Sequence, residues 1–247
     1  MNLLIDIGNS RIKWRAAEQR RLQLGDAVPR GGQDALQRLK TAWSSLPAPD
    51  TVLATSVADP ASHADLQALV SRLWRRDMQF LTSVPEQLGV RNAYPIPGNL
   101  GPDRWAALLG AWVRGLAPCC IVDAGTAVTI DVLDCTGQYR GGMIFAGLGL
   151  SRRALTERAH RLPPIVDGDL PPLATDTVEA IRLGTTEALI GAVARGVQRC
   201  RQQHRDLRLL VTGGDAELLV GSLPELEPQL HADLVFQGLA AVAEEGG

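Results

Sequence analysis

Residues 2–10, NLLIDIGNS, and residues 119–127, CCIVDAGTA, decide the fold. Each is a short apolar run that ends in Asp-x-Gly and then a hydroxyl residue within two positions: Asp6-Ile7-Gly8-Asn9-Ser10 in the first, Asp123-Ala124-Gly125-Thr126 in the second. A short apolar run bounded by turn formers reads as a buried strand. Around the first run, residues 2–8, 10–17 and 21–28 read as a three-strand meander, with Gly25 in the third strand. Helical patterns follow at 33–45 and 59–76, with the strand TVLATSV between them and MQFLT after them, a βββαβαβ order. From Pro118 the pattern restarts with CCIVDAG, AVTIDVLD, a turn at Thr136-Gly137 and QYRGGMIFAG. Helices are expected at 150–161 and 176–201, then the strand LRLLVTGG and closing helical segments. The echo predicts a duplicated α/β chain with lobes 1–117 and 118–247. Each lobe is a mixed sheet that opens with a meander and is flanked by helices.

Within the first lobe, MQFLT is followed by a loop rich in turn formers, NAYPIPGNLGPD, whose three prolines are expected outside regular structure. A helix over 103–115 follows and ends at a Gly and a Pro. Bulk properties narrow the function classes. The chain has 247 residues, 45% apolar and 21% charged, enough to bury two ordinary cores. Lys plus Arg is 25 against 27 Asp plus Glu, a formal charge of −2, so nucleic acid and anionic membrane are not expected partners. No apolar run reaches the ~18 residues needed to span a bilayer, and the strand-like MNLLIDIG does not read as a signal peptide. Cys119, Cys120, Cys135 and Cys200 have no C-x-x-C spacing and read as small core residues in a reducing compartment, the cytoplasm.

Several segments suit chemistry, and each has a plainer structural use. A lone D-x-G-N-S is a common Asx-turn at a strand end. Two copies opening two similar meanders read instead as a split phosphate site. Glycine lets backbone N–H groups approach phosphate oxygens, Ser10 and Thr126 add hydroxyl donors, and Asp6 and Asp123 are suited to metal ions or their waters. Asp103, entering a helix from Gly101-Pro102, is either its N-cap or a base for a substrate hydroxyl. Arg104 beside it serves a substrate anion or lies along the helix in solvent. Val211 to Ala216 reads as a tight strand-to-helix turn, with a nucleotide base as the alternative. The dense glycines at 141–149 suit close packing or a substrate against backbone. His63, His160, His204 and His231 form no ligand set. There is no P-loop and no G-x-S-x-G elbow.

Taken together, DIGNSRIKW, YPIPGNLGPDRWAALLGA, VDAGTAVTID and TVEAIRLGT resemble the type III pantothenate kinases, in order and across nearly the whole chain. The resemblance implies the actin-like (ribonuclease H-like) duplicated fold and ATP-dependent phosphorylation of pantothenate to 4′-phosphopantothenate, the first step of coenzyme A biosynthesis. It implies that Asp6, Ile7, Gly8, Asn9, Ser10, Arg11, Ile12 and Lys13 form the first phosphate loop, with Asp6 organising Mg²⁺ and ATP, and that Thr126 contacts a nucleotide phosphate. Asp103 is implied as general base. The resemblance further implies that Tyr94, Gly101, Pro102 and Arg104 line the substrate pocket, joined by Thr177 at a homodimer interface. Asp123 is implied as the ligand of a monovalent cation, K⁺ or NH₄⁺. Ala107 departs from the family pattern, which has Asn there. Two other readings remain open: a non-catalytic regulator of the Bvg accessory factor type, and a kinase of the same superfamily acting on another small alcohol.

Overall fold

The computed structural model describes residues 1–30, 34–57, 61–157, 168 and 170–245, with the side chains of residues 61 and 62 outside the description. The chain forms two compact units. One comprises Met1–Ala117, Cys135–Tyr139 and Asp233–Gly247; the other comprises Pro118–Asp134 and Arg140–Ala232.

In the first unit, β1 (Asn2–Ile7), β2 (Arg11–Glu18) and β3 (Arg21–Pro29) form the expected meander. Then come α1 (Ala35–Trp43), β4 (Val52–Ser56), α2 (Ala61–Trp74) and β5 (Met78–Phe80). The sheet order is β3-β2-β1-β4-β5, with β2 antiparallel and β4 parallel to β1. Alternation sets the faces of these strands. Leu3, Ile5 and Ile7 of β1 and Ile12 and Trp14 of β2 point into a core closed by Leu39, Trp43, Leu66 and Val70 from the two helices. A two-stranded hairpin, β6 (Glu86–Gln87) and β7 (Val90–Arg91), precedes α3 (Pro102–Val113).

The second unit repeats the scheme with β8 (Cys119–Ala124), β9 (Ala127–Leu133), β10 (Tyr139–Ala146), α4 (Leu148–Glu157), α5 (Thr177–Gln203), β11 (Arg208–Gly213), α6 (Ala216–Ser222) and β12 (Pro228–Leu230). Its sheet order, β10-β9-β8-β11-β12, matches the first strand for strand. Val122, Ile130 and Val211 from the sheet pack with Leu189, Val193 and Val197 of α5. The last helix, α7 (Leu234–Glu245), belongs to the first unit and packs along α3. Helix backbones approach closely there. A Cβ on Gly238 would meet the carbonyl of Ala106, and one on Gly110 would meet that of Leu234.

Some local expectations need correction. Pro102 lies inside regular structure, at the first position of α3, where a missing N–H costs nothing and its fixed φ suits a helix start. Cys119, Cys120 and Cys200 are buried, but Cys135 is exposed in a turn, so only three of the four cysteines are core residues; all are free. The hairpin β6–β7 and the strand β12 are too short to leave a period in the sequence. His160 and the end of the helix expected at 150–161 lie outside the described residues, as do the starts of those expected at 33 and 59.

Candidate active site

Asp6 is the fifth residue of β1, next to the strand's C-terminal end, paired across the sheet with Lys13 on β2 and Thr55 on β4. The fully buried Thr55 donates its hydroxyl to Asp6 Oδ1 at 3.0 Å, and Lys13 Nζ stands 4.0 Å from Oδ2. The Asp6 side chain is only 17% exposed. Burial pushes its carboxyl above the usual value, with Lys13 and Thr55 opposing that rise.

The turn after β1 is held from within. Gly8 N–H donates to the carbonyl of Arg11, and Arg30 donates to the carbonyl of Gly8 through its guanidinium and to that of Ser10 through its backbone. The N–H groups of the two turn glycines themselves are therefore engaged within the turns. Gly8 spends its donor on the turn, and Gly125 does the same with the carbonyl of Ala127. Asn9, Ser10 and Arg11 are exposed, whereas Ile7 and Ile12 point into the core, so these two face any ligand only through backbone.

Asp103 is not the helix cap. Gly101 occupies that position in extended conformation, and Asp103 sits one residue inside the first turn of α3. Its Oδ1 accepts from the backbone N–H of Arg104 at 2.8 Å, one of the donors a helix start leaves unpaired. A Cβ at position 101 would lie 2.6 Å from that oxygen, so glycine is what lets the carboxylate take this direction. Burial raises the Asp103 pKa most. The Arg104 N–H lowers it, the neighbouring negative charge of Asp6 raises it, and the Arg104 guanidinium lowers it. Asp6 and Asp103, far apart in sequence, thus lie close enough to repel each other.

Arg104 is 7% exposed. Its Nη1 donates to the hydroxyl of Tyr94 at 3.1 Å and its Nη2 to that of Tyr139 at 2.8 Å, while the two phenol rings stack 6.0 Å apart. Ala107, one turn on, is buried, where Asn would need polar partners.

In the second unit three glycine segments converge. Gly213, at φ +100°, is placed so that a Cβ would crowd the carbonyl of Ala124 and Oδ1 of Asp123. A side chain on Gly147 would strike the carbonyls of Gly125 and Thr126, and Gly147 N–H donates to Thr126 O at 3.0 Å. Asp215 N–H donates to Ala124 O at 2.9 Å, so Val211–Ala216 is a tight strand-to-helix turn locked onto the Asp123 turn. Thr177 is exposed as the first residue of α5, behind the capping Asp176. A cavity of about 520 Å³ near Arg201, Arg205 and Arg208 contains none of the expected site residues.

Sequence reading missed Thr55 and Tyr139. A hydroxyl residue near the end of a strand parallel to β1 was a usable signal for Thr55. Tyr139 had none, because it reaches Arg104 from 35 residues away.

The type III pantothenate kinase family model matches residues 2–199. A protein of Nitrosospira multiformis named type III pantothenate kinase is 34% identical over 98% of this chain and 91% of its own length. Among solved structures, a Campylobacter jejuni protein named as a Baf family transcriptional activator aligns with TM-score 0.62 at 20% identity, covering 99% of this chain and 98% of that one. The activator of 2-hydroxyisocaproyl-CoA dehydratase from Clostridium difficile, solved with bound ADPNP, aligns with TM-score 0.56 at 13% identity, covering 99% and 94%. The two structural likenesses speak for the fold, which is the actin-like one. With a family model spanning most of its length and a relative this similar end to end, the chain belongs to the type III pantothenate kinases.

Proposed function

We propose that this protein transfers the γ-phosphoryl group of ATP to the primary hydroxyl of pantothenate, and that Asp103 accepts the hydroxyl proton. The oxygen–phosphorus bond to pantothenate forms as the bond to the bridging oxygen breaks, leaving 4′-phosphopantothenate and ADP. The observation that carries this reading is the Asp103 carboxylate, oriented on the first turn of α3 beside Asp6. Phosphoryl transfer through a loose transition state asks mainly for positioning, so a carboxylate held by one backbone N–H is adequate. Arg104 and Tyr94 would receive the far end of pantothenate, with Gly101 and Pro102 shaping the entry to the helix.

Asp6 suits a Mg²⁺ that arrives with ATP. Among the described residues no group of three or more His, Cys, Asp or Glu forms a metal cage, so contact through water and phosphate oxygens is the natural mode. Such an ion neutralises charge that develops on the phosphates. The segment Asp6 to Lys13 and Thr126 are the proposed nucleotide contacts. Asp123 is the proposed ligand of K⁺ or NH₄⁺, because its carboxylate, set beside Gly213 where a Cβ would crowd it, is a hard oxygen donor.

A second copy of the chain is the proposed partner at Thr177. The second unit exposes Ile144, Leu150, Leu155 and Leu173, apolar surface that an interface would cover. Among the described residues no helix is long and apolar enough to cross a membrane, and the cytoplasm is the proposed compartment.

ADP release measured with pantothenate and a panel of other small alcohols, in K⁺ and then in Na⁺, tests the reading. Turnover is expected with pantothenate, supported by K⁺ or NH₄⁺ and lost in Na⁺ alone. Preference for another alcohol would move the assignment to a different substrate, and indifference to the cation would leave Asp123 with a purely structural role.

A further inference from the structure

Resting on the pantothenate reading, we propose that Tyr139 is a positioning residue that aims the Arg104 guanidinium, and that through Arg104 it selects a substrate alcohol bearing a carboxylate.

Tyr139 opens β10, is fully buried, and lies in the same compact unit as α3. A buried phenol oxygen is tolerated only with a hydrogen-bond partner, and this one receives Nη2 of Arg104 at 2.8 Å. Tyr94 receives Nη1 of the same guanidinium, whose carbon stands 5.9 Å from the Tyr94 ring centre. The rings of Tyr94 and Tyr139 stack with 27° between their planes. Two of the five N–H donors of Arg104 are thus fixed by phenols from separate parts of the chain. As hydroxyl acceptors on Nη1 and Nη2, the two phenols set the plane of the guanidinium. Arginine matches carboxylates best when that plane is fixed in advance. If filling the core were the only need, phenylalanine at 139 would serve, and no cation would have to be buried against it.

The test compares wild type with Tyr139→Phe, which keeps the stacked ring and removes the hydroxyl. Each is assayed with pantothenate and with the analogue in which CH₂OH replaces the carboxylate. Loss of one hydrogen bond to a charged group predicts a KM for pantothenate about tenfold higher, with kcat and the KM for ATP changed less than about twofold. The preference for pantothenate over the neutral analogue should fall by the same factor. In an Arg104→Lys background, where the fork is already gone, the same change should add less than about twofold. A Tyr139→Phe enzyme that melts earlier yet keeps the wild-type preference overturns the inference, leaving Tyr139 as packing. An equal loss on both substrates overturns it too. A wild-type enzyme that turns over both alcohols equally well overturns it without any variant. Failure of the wild type to phosphorylate pantothenate at all overturns the functional reading, and this inference with it.

Discussion

The two units have the same strand order and the same Asp at the fifth residue of the first strand, yet they surround that Asp differently. In the first, Asp6 is flanked by Lys13 and by Thr55, and the Thr55 hydroxyl donates to it. In the second, the register places Asp123 between Thr129 and Thr212, and the Thr212 hydroxyl reaches the carbonyl of Ala232 instead. The first unit adds a helix start that brings a second carboxylate, Asp103, into the field of Asp6. The second packs Gly147 and Gly213 against the carbonyls of Gly125, Thr126 and Ala124. The two copies share a scaffold and differ in what surrounds the Asp: one sets a buried hydroxyl donor and a second carboxylate against it, the other packs glycines against the neighbouring backbone.

The largest effect expected from breaking this asymmetry belongs to Asp103→Asn. The amide keeps the acceptor for the Arg104 N–H but cannot take a proton, so kcat should fall by ~10²-fold or more with ATP binding retained. Near-normal turnover would remove Asp103 from the role of base. Next is the threonine pair. Thr55→Val leaves the Asp6 carboxylate without its buried donor and should lower kcat/KM by about tenfold. Thr212→Val, at the matched position, should change it by less than about twofold. Equal losses at the two sites would mean that both threonines only pack. The smallest effect is on stability. A carboxyl whose pKa is raised by folding is destabilising once ionised, so the cost is full above its folded-state pKa, shrinks as pH falls below that value and is gone below its unfolded-state pKa. Asp103→Asn should therefore melt later than wild type at pH 7.5, by roughly 2–4 °C for each ~1 kcal/mol recovered. That gain should shrink in acid, as followed by thermal melts across pH.

What the sequence displayed, and what it hid, follows from range. The strands and long helices were legible because alternation and helical period are local signals. The duplication was legible because Asp6-Ile7-Gly8 and Asp123-Ala124-Gly125 punctuate like strands in like places. The N-terminal position of Asp103 on its helix was also legible, although the cap itself proved to be Gly101, because both residues suit helix starts. Partnerships across the fold were not. The contact of Thr55 with Asp6 depends on β4 pairing parallel to β1, and that of Tyr139 with Arg104 on how a later strand begins. The internal use of the Gly8 and Gly125 N–H groups was hidden too, since a glycine in a sequence does not say which way its donor points.

If Asp6 and Asp103 act in one site, the charge of Asp6 bears on the Asp103 carboxyl. Titration of the Asp103 carboxyl carbon by NMR, in wild type and in Asp6→Asn, tests it most directly. A pKa above the ordinary 3.8 is expected in wild type, and a lower one once Asp6 is neutral. An Asp103 that titrates at the ordinary value and does not respond to the change at position 6 would contradict it.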